Sequence, residues 1–215
     1  MKSILIIGMG KFGQTLGEEL LRMGDEVMIV DKNEELINSL AGKYTDALIA
    51  NCMYEDNLRA LDIPSFDTCV VAIGDDFQSS LEITSLLKDL GAKQVVSKAA
   101  TEIQRKFLLK NGADVVIYPT KDSAEKLAVK LNASGVFDYI ELNDEYSIFE
   151  IAVPDDWAGK NVVGVNPRQK YGINILTIKK GDEIVATVDA QYVFEKGDHM
   201  LVFGSTKNIL KFTNK

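Results

Sequence analysis

The most constraining feature of this sequence is its opening stretch, where a short apolar run leads directly into three regularly spaced glycines. Residues 3–7 form the apolar run, and Gly8, Gly10 and Gly13 follow with the spacing G-x-G-x-x-G. In a nucleotide-binding unit the first glycine permits a tight turn, the second lets a phosphate approach the backbone, and the third lets the helix pack against the strand. The helix start offers unpaired N–H groups and the positive end of a dipole. The stretch therefore predicts a phosphate-binding loop, with a ligand-free tight turn as the alternative.

A second apolar run, residues 26–30, ends in Asp31, close to the spacing at which an acidic residue binds ribose after such a loop. Its carboxylate would accept hydrogen bonds from ribose hydroxyls. It would also repel a 2′-phosphate, so NADP is the least favoured nucleotide. The alternative is a capping acid ahead of the next helix, for which Asn33 is the predicted N-cap.

Strand-like and helix-like segments alternate from residue 3 to about residue 133. The strand-like segments are continuous apolar runs, as expected for parallel strands covered by helices on both faces. Six such segments joined by helices predict an α/β, Rossmann-like, doubly wound parallel sheet. The strands are expected at residues 3–7, 26–30, 47–50, 68–73, 94–98 and 115–118, and the last helix at about 120–133.

The pattern changes at Ser134 and Gly135. Polar turns then join the strand-like segments, which is typical of antiparallel hairpins. We predict two domains, a nucleotide-binding domain at residues 1–134 and a small α+β domain at residues 135–215. In the second, strands are expected at 136–142, 147–153, 173–179, 183–188 and 199–203, and a helix at 205–212.

In doubly wound sheets, ligands bind outside the carboxyl ends of the strands, so the residues that follow each strand are candidate contacts. Lys11 is the most informative of them, because an ammonium inside the glycine loop would neutralise a terminal phosphate. A dinucleotide has no such phosphate, so Lys11 favours ATP or ADP over NAD(H); the alternative is a solvated lysine at a helix start. The full predicted set is Gly8, Met9, Gly10, Lys11, Phe12, Gly13, Asp31, Lys32, Asn51, Cys52, Ile73, Gly74, Asp75 and Lys98.

Three members of this set have two interpretations each. Asn51 would bind the adenine edge or form a turn. Lys98 would face phosphates or pair with Asp75 or Asp76. Phe12 is expected to pack on its helix rather than to stack on a ligand.

Composition excludes several classes of function. The chain has 215 residues and a formal net charge of -8, so a nucleic-acid partner is not expected. No apolar stretch is long enough to cross a bilayer, and no signal peptide is recognised. Cys52 and Cys69 lack metal-type spacing and are predicted to be buried free thiols, so no metal site is predicted.

The predicted second domain offers no catalytic constellation. It contains one histidine, His199, and no cysteine. His199 follows Gly197 and Asp198 at an expected hairpin turn and is predicted to be a surface residue. Hydride transfer usually needs a proton donor or acceptor beside the nicotinamide, and a P-loop motif is absent. We predict a binding protein and not an enzyme, with a small NAD-dependent oxidoreductase as the alternative; a redox-sensing DNA-binding regulator is disfavoured by the acidic charge.

The run at residues 4–31, ILIIGMGKFGQTLGEELLRMGDEVMIVD, resembles the N-terminal domain of the regulator-of-potassium-conductance family, which has TrkA-N and TrkA-C domains. The resemblance continues at residues 47–63, 70–76 and 96–99, and in the second domain at 138–151 and 168–182. It is greatest to the Ktr-type cytosolic regulatory subunit of a potassium uptake system.

This resemblance implies a gating subunit under an integral membrane potassium transporter, cytoplasmic and peripheral to the inner face of the membrane. Dimers would assemble into an octameric ring whose shape responds to ATP or ADP, or to NAD(H). The family's ribose acid, strand-three Asn and strand-five Lys correspond to Asp31, Asn51 and Lys98, and its glycine loop to Gly8, Gly10 and Gly13. Lys11 stands where Ktr-type members usually have arginine, which softens discrimination between ATP and ADP.

Two further correspondences concern other ligands. Thr120 stands where Ktr-type members can carry a glutamate that helps to hold a divalent cation. Arg168, Tyr171 and Asn174 resemble a cyclic di-AMP site found in some relatives, although Val188 replaces a proline of that site.

Overall fold

The computed structural model describes residues 1–133 and 135–214. The chain divides into two compact units, Met1–Lys121 and Asp122–Lys215, each with its own sheet and core. The helix predicted at about residues 120–133 is present as Pro119–Asn132, most of it in the second unit. Ser134 lies outside the described residues, and the domain boundary placed there stays a prediction.

The first unit is a six-stranded parallel sheet with the order β3-β2-β1-β4-β5-β6, so the predicted Rossmann-like fold class is confirmed. Alternate residues of β1 point to opposite sides, where Leu5 and Ile7 join one apolar cluster and Ile4 and Ile6 another. Because both faces are buried, the strands read as continuous apolar runs. The strands are β1 (Ser3–Ile7), β2 (Glu26–Asp31), β3 (Asp46–Ile49), β4 (Thr68–Val71), β5 (Val95–Lys98) and β6 (Val115–Ile117).

Helices connect successive strands of this sheet, and the chain order reverses beside β1, where β2 lies on one side and β4 on the other. This reversal opens a crevice at the carboxyl ends of β1 and β4, which is where such sheets bind ligands. The helices are α1 (Lys11–Arg22), α2 (Glu34–Leu40), α3 (Glu55–Arg59), α4 (Phe77–Asp89) and α5 (Glu102–Lys110).

Helix α1 is seated by a contact with Tyr44, which follows α2. A Cβ added at Gly17 would lie 2.6 Å from Cε1 of the Tyr44 ring, so any larger residue at position 17 would force this ring to move. Tyr44 is buried, and its hydroxyl donates to the backbone oxygen of Gln14 at 3.2 Å. The ring therefore fixes α1 against the element that follows α2.

The second unit is a five-stranded antiparallel sheet with the order β10-β9-β11-β8-β7, which confirms the predicted α+β class. One face is covered by short helices and by Trp157, around which Tyr171, Phe194 and Phe212 pack with ring centroids 5.3 to 5.8 Å away. The elements are α6 (Pro119–Asn132), β7 (Val136–Glu141), β8 (Tyr146–Ala152), α7 (Val162–Val165), α8 (Pro167–Tyr171), β9 (Ile173–Lys180), β10 (Glu183–Val185), β11 (His199–Ser205) and α9 (Thr206–Thr213).

Several elements differ from the sequence expectations. Strand β4 ends at Val71, two residues earlier than predicted, and β10 ends at Val185, three residues earlier than predicted. Helices α7 and α8 were not predicted, because each is only one turn long and Asn166 between them has a left-handed backbone with φ 52°.

Among the described residues, no helix combines the length and the apolar character that a bilayer crossing needs.

Candidate functional site

A cavity of about 460 Å³ lies at the carboxyl ends of strands β1 to β5 of the first unit. Met9 and Gly13, both buried, are the two predicted site residues that do not line it. The structure brings the other predicted residues together around this cavity: Gly8, Gly10, Lys11, Phe12, Asp31, Lys32, Asn51, Cys52, Ile73, Gly74, Asp75 and Lys98. Their role in binding stays a prediction.

The three glycines have the geometry that their predicted roles require. Gly8 has φ +96°, a conformation that residues with a Cβ rarely adopt, and its N–H donates to Val30 at 2.9 Å. A Cβ at Gly13 would collide with the carbonyl oxygen of Gly8. At Gly10, in contrast, a Cβ would meet no atom within 4 Å. Gly10 is therefore not required by packing, and the open space beside it suits a ligand group.

The start of α1 is open toward the cavity. Gly10 is the N-cap, no side chain caps the helix, and no acidic residue lies in its first turn. The first helical bond runs from the N–H of Gln14 to the oxygen of Gly10 at 3.0 Å, so the preceding N–H groups lack helical acceptors. Helices α2 and α4, by comparison, are capped by Asn33 and Asp76. An anion at the start of α1 would satisfy these N–H groups and the helix dipole.

Asp31 makes two backbone hydrogen bonds from its single carboxylate. Oδ2 accepts from the N–H of Met9 at 2.7 Å, and Oδ1 accepts from the N–H of Asn33 at 2.9 Å. The side-chain oxygen Oδ1 of Asn33 accepts from the N–H of Leu36 at 3.0 Å, which confirms Asn33 as the N-cap of α2. Asp31 thus orders the turn before the helix and also holds the glycine loop. A carboxylate has about four acceptor positions, so ribose hydroxyls would still find acceptors there.

The loop after β3 contacts the start of α4 across the cavity. Asn51 Oδ1 accepts from the N–H of Met53 at 3.1 Å, which is a side-chain turn. Met53 Sδ lies 2.9 Å from the hydroxyl of Ser79, and Ser79 also donates to Asp76. The turn interpretation therefore accounts for the oxygen of Asn51, whereas its amide nitrogen has no hydrogen-bond acceptor among the described residues.

Part of the cavity lining was not predicted from the sequence. The wall formed by the loop after β3 and the first turns of α4 contributes residues outside the predicted set, namely Met53, Asp76, Ser79 and Ile83. The available signal was local, since Asp76 precedes a helix and has Ser79 three residues later, which is the pattern of an N-cap. That pattern indicates a helix start and does not indicate which cavity the helix faces.

Lysine side chains supply positive charge around the cavity. Lys98 Nζ lies 5.9 Å from the centroid of the Phe12 ring. It also lies next to Gly74, where an added Cβ would be only 2.6 Å from Nζ. In the part of the chain that the structure describes, Lys98 forms no ion pair with Asp75 or Asp76, and its role toward phosphates stays a prediction. Phe12 packs against the apolar cluster under α1, as predicted, and also lines the cavity.

Both cysteines are free and buried, as predicted. Cys52 lines the cavity, and burial, with a smaller contribution from Asp31, raises the pKa of its thiol to about 12. The thiol is therefore uncharged at neutral pH and is a poor nucleophile. Within residues 1–133 and 135–214, no group of three His, Cys, Asp or Glu side chains is placed to hold a metal ion.

The residues predicted for a second ligand lie at α8 and the start of β9. Tyr171 lines a cavity of about 330 Å³ with Lys170 and Lys211, whereas Arg168 and Asn174 do not line it. His199 keeps 28% of its side chain exposed, which is consistent with the predicted surface position, and it makes two contacts with neighbouring strands. Its Nδ1 lies 3.0 Å from Oε1 of Glu150, and its ring stacks on Phe137 with centroids 3.8 Å apart, because it begins β11.

Comparison with known proteins gives a consistent result over the whole chain. The Ktr system potassium uptake proteins A and C of Bacillus subtilis (strain 168) are 39% and 35% identical to it, cover 100% of it, and are themselves covered over 96% and 97% of their lengths.

Solved structures share the fold. The GsuK channel bound to NAD superposes with a TM-score of 0.71 at 15% identity, over 100% of this chain and 39% of that one. The AMP-bound form of the Kef C-terminal domain of Shewanella denitrificans has a TM-score of 0.53 at 26% identity, over 60% of this chain and 79% of that one.

Sequence profiles match both parts of the chain. The TrkA-N domain matches residues 4–119, and the TrkA-C domain matches residues 147–215. The chain therefore belongs to the regulator-of-potassium-conductance family defined by the TrkA-N and TrkA-C domains, as the sequence resemblance predicts.

Proposed function

We propose that the chain is the cytosolic nucleotide-binding regulatory subunit of a potassium uptake transporter. In this proposal ATP or ADP binds the cavity at the glycine loop, with NAD(H) as the alternative ligand. Binding changes the conformation of a ring built from dimers, and the ring opens or closes a membrane subunit. The relatives that support this role are Ktr system potassium uptake proteins covered over nearly their whole length.

The observation that carries the proposal is the open start of α1 above Gly10. Its N–H groups, the free space at Gly10 and the ammonium of Lys11 lie around one cavity. This combination suits a phosphate chain, since backbone N–H groups and a helix dipole both favour negative charge. Structures with related folds carry NAD in one case and AMP in the other, which supports an adenine nucleotide here.

Membership of this family confirms that the chain is not an enzyme. Its relatives are potassium uptake proteins and not oxidoreductases, so the NAD-dependent oxidoreductase alternative is set aside. Regulation needs differential binding only: a nucleotide shifts a conformational equilibrium by the ratio of its affinities for the two states. We propose that ATP and ADP stabilise different spacings of paired first domains, taken as residues 1–134.

Calorimetric titration of nucleotide-stripped protein with ATP, ADP, NAD and NADH tests the ligand. We expect ATP or ADP to bind more tightly than NAD(H), and Lys11→Ala to remove most of the preference for ATP. Lys207→Ala is the matched control, because Lys207 is an exposed lysine in the first turn of α9 and lies outside the cavity. Unchanged ATP and ADP affinities in Lys11→Ala would exclude this mechanism.

Light scattering of the same samples tests the assembly. We expect an octamer of the 23.7 kDa chain whose hydrodynamic radius differs between the ATP and ADP states. A monomer in all nucleotide states would contradict the ring. Co-purification of the chain with the membrane subunit of the same uptake system tests the transporter partner separately.

A further inference from the structure

Met9 occupies the middle of the glycine loop, and both polar groups of its backbone are held by side chains. Its N–H donates to Asp31 Oδ2 at 2.7 Å, and its carbonyl oxygen accepts from Nε2 of Gln14 at 2.8 Å. The Met9 side chain is fully buried, at 0% exposure. The loop is therefore fixed by protein groups before any ligand is considered.

Gln14 is itself well anchored. Its backbone N–H donates to Gly10, and its backbone oxygen accepts from the hydroxyl of Tyr44 at 3.2 Å. The side chain reaches back from the first turn of α1 to the loop that precedes the helix. Gln14 does not line the cavity, so a direct contact with a ligand is not what places a glutamine here.

The peptide group that links Met9 to Gly10 explains the value of this hydrogen bond. In a planar trans peptide the carbonyl oxygen and the N–H of the next residue point in opposite directions. Holding the oxygen of Met9 therefore fixes the direction of the N–H of Gly10. Gly10 has no side chain, and a Cβ placed there would meet no atom within 4 Å, so side-chain packing does not orient this peptide group.

We propose that Gln14 is a positioning residue that aims the Gly10 N–H at a bound phosphate. This inference rests on the proposed nucleotide function. It assigns to Gln14 a role that acts through the loop and not through contact with the ligand. Loss of the Nε2 donor should weaken the binding of a ligand in proportion to its phosphate contacts, whereas the binding contribution of base and ribose should stay unchanged.

The test uses Gln14→Met, which keeps side-chain length and helix propensity but removes the donor. Gln104→Met is the matched control, because Gln104 also bonds a backbone group at a helix start, accepting from the N–H of Ala100 at 2.8 Å, and lies outside the cavity. In calorimetry of the full chain, we expect Gln14→Met to bind ADP about fivefold more weakly, as the loss of one hydrogen bond predicts. Adenosine affinity, measured by competition, and all affinities of Gln104→Met should stay unchanged.

Hydrogen exchange of the ligand-free protein gives a second readout that needs no nucleotide. We expect the backbone amides of residues 8–13 to exchange about fivefold faster in Gln14→Met than in the unaltered protein or in Gln104→Met. Unchanged exchange there, or an equal loss of ADP and adenosine affinity, would overturn the role of Gln14. If the unaltered protein binds no adenine nucleotide, the proposed function fails, and the exchange result still decides whether Gln14 fixes the loop.

Discussion

The carboxylate of Asp76 accepts two hydrogen bonds from Ser79, one from the backbone N–H at 3.1 Å and one from the hydroxyl at 2.6 Å. These bonds, assisted by Lys32, hold the pKa of Asp76 below its ordinary value. A carboxyl group whose pKa is lowered by folding stabilises the fold above its unfolded pKa, and that contribution is lost as pH falls through the folded pKa.

We therefore predict that the stabilisation from Asp76 disappears in acid. Asp76→Asn keeps a capping side chain but does not titrate. The unaltered protein should melt at a higher temperature than Asp76→Asn at pH 7, and the gap should shrink from about pH 4 downward, where aspartate begins to protonate. Thermal unfolding from pH 7 to pH 3 measures this gap. A gap that is constant across that range would contradict the prediction.

A second prediction separates the two glycines that follow Met9 in the loop region. Gly13→Ala should lower the free energy of unfolding by about 3 kcal/mol, because its Cβ would collide with the oxygen of Gly8. Gly10→Ala should leave stability within about 1 kcal/mol, since the space there is open and its φ of -62° suits alanine. Gly10→Ala should nevertheless weaken ADP binding, because its methyl group would occupy the approach to the N–H groups. Urea denaturation and calorimetry measure the two effects, and equal stability losses would refute the distinction.

The third prediction concerns Ser80 on α4, whose buried hydroxyl has no hydrogen-bond partner among the described residues. Because an unsatisfied buried hydroxyl costs free energy, Ser80→Ala should raise the free energy of unfolding by about 1 kcal/mol. Thr84→Val is the contrasting variant, since the Thr84 hydroxyl donates to the backbone carbonyl oxygen of Ser80 and lies 2.8 Å from the hydroxyl of Ser97. It should destabilise by about 1 kcal/mol. Chemical denaturation measures both variants, and destabilisation by Ser80→Ala would show that its hydroxyl is satisfied.

The fourth prediction uses the single tryptophan of the chain. Trp157 is 3% exposed and packs among Tyr171, Phe194 and Phe212 in the second unit. Trp157→Ala should cost about 3 to 5 kcal/mol, because it leaves a large cavity, and Trp157→Phe should cost less than half of that. Circular dichroism in urea measures both, and a small cost for alanine would mean that the aromatic cluster collapses around the gap.

The parts of the structure that were predictable are those encoded in neighbouring residues. The strand, glycine loop and helix at residues 3–22 are one local pattern, and Asp31 is set by its distance from that pattern. The wall formed by Met53 and Ser79 was not predictable, because it forms only when α4 packs over the loop after β3. The contacts of His199 with Glu150 and Phe137 were not predictable for the same kind of reason, because those residues belong to other strands.

The contact between Gly17 and Tyr44 constrains how this chain can diverge. The ring occupies the volume that any larger residue at position 17 would need, so neither position can change freely without the other. A side chain at 17 would demand a smaller residue at 44, which would also remove the hydroxyl that supports Gln14. In homologous sequences, residue size at these two positions should therefore be inversely related.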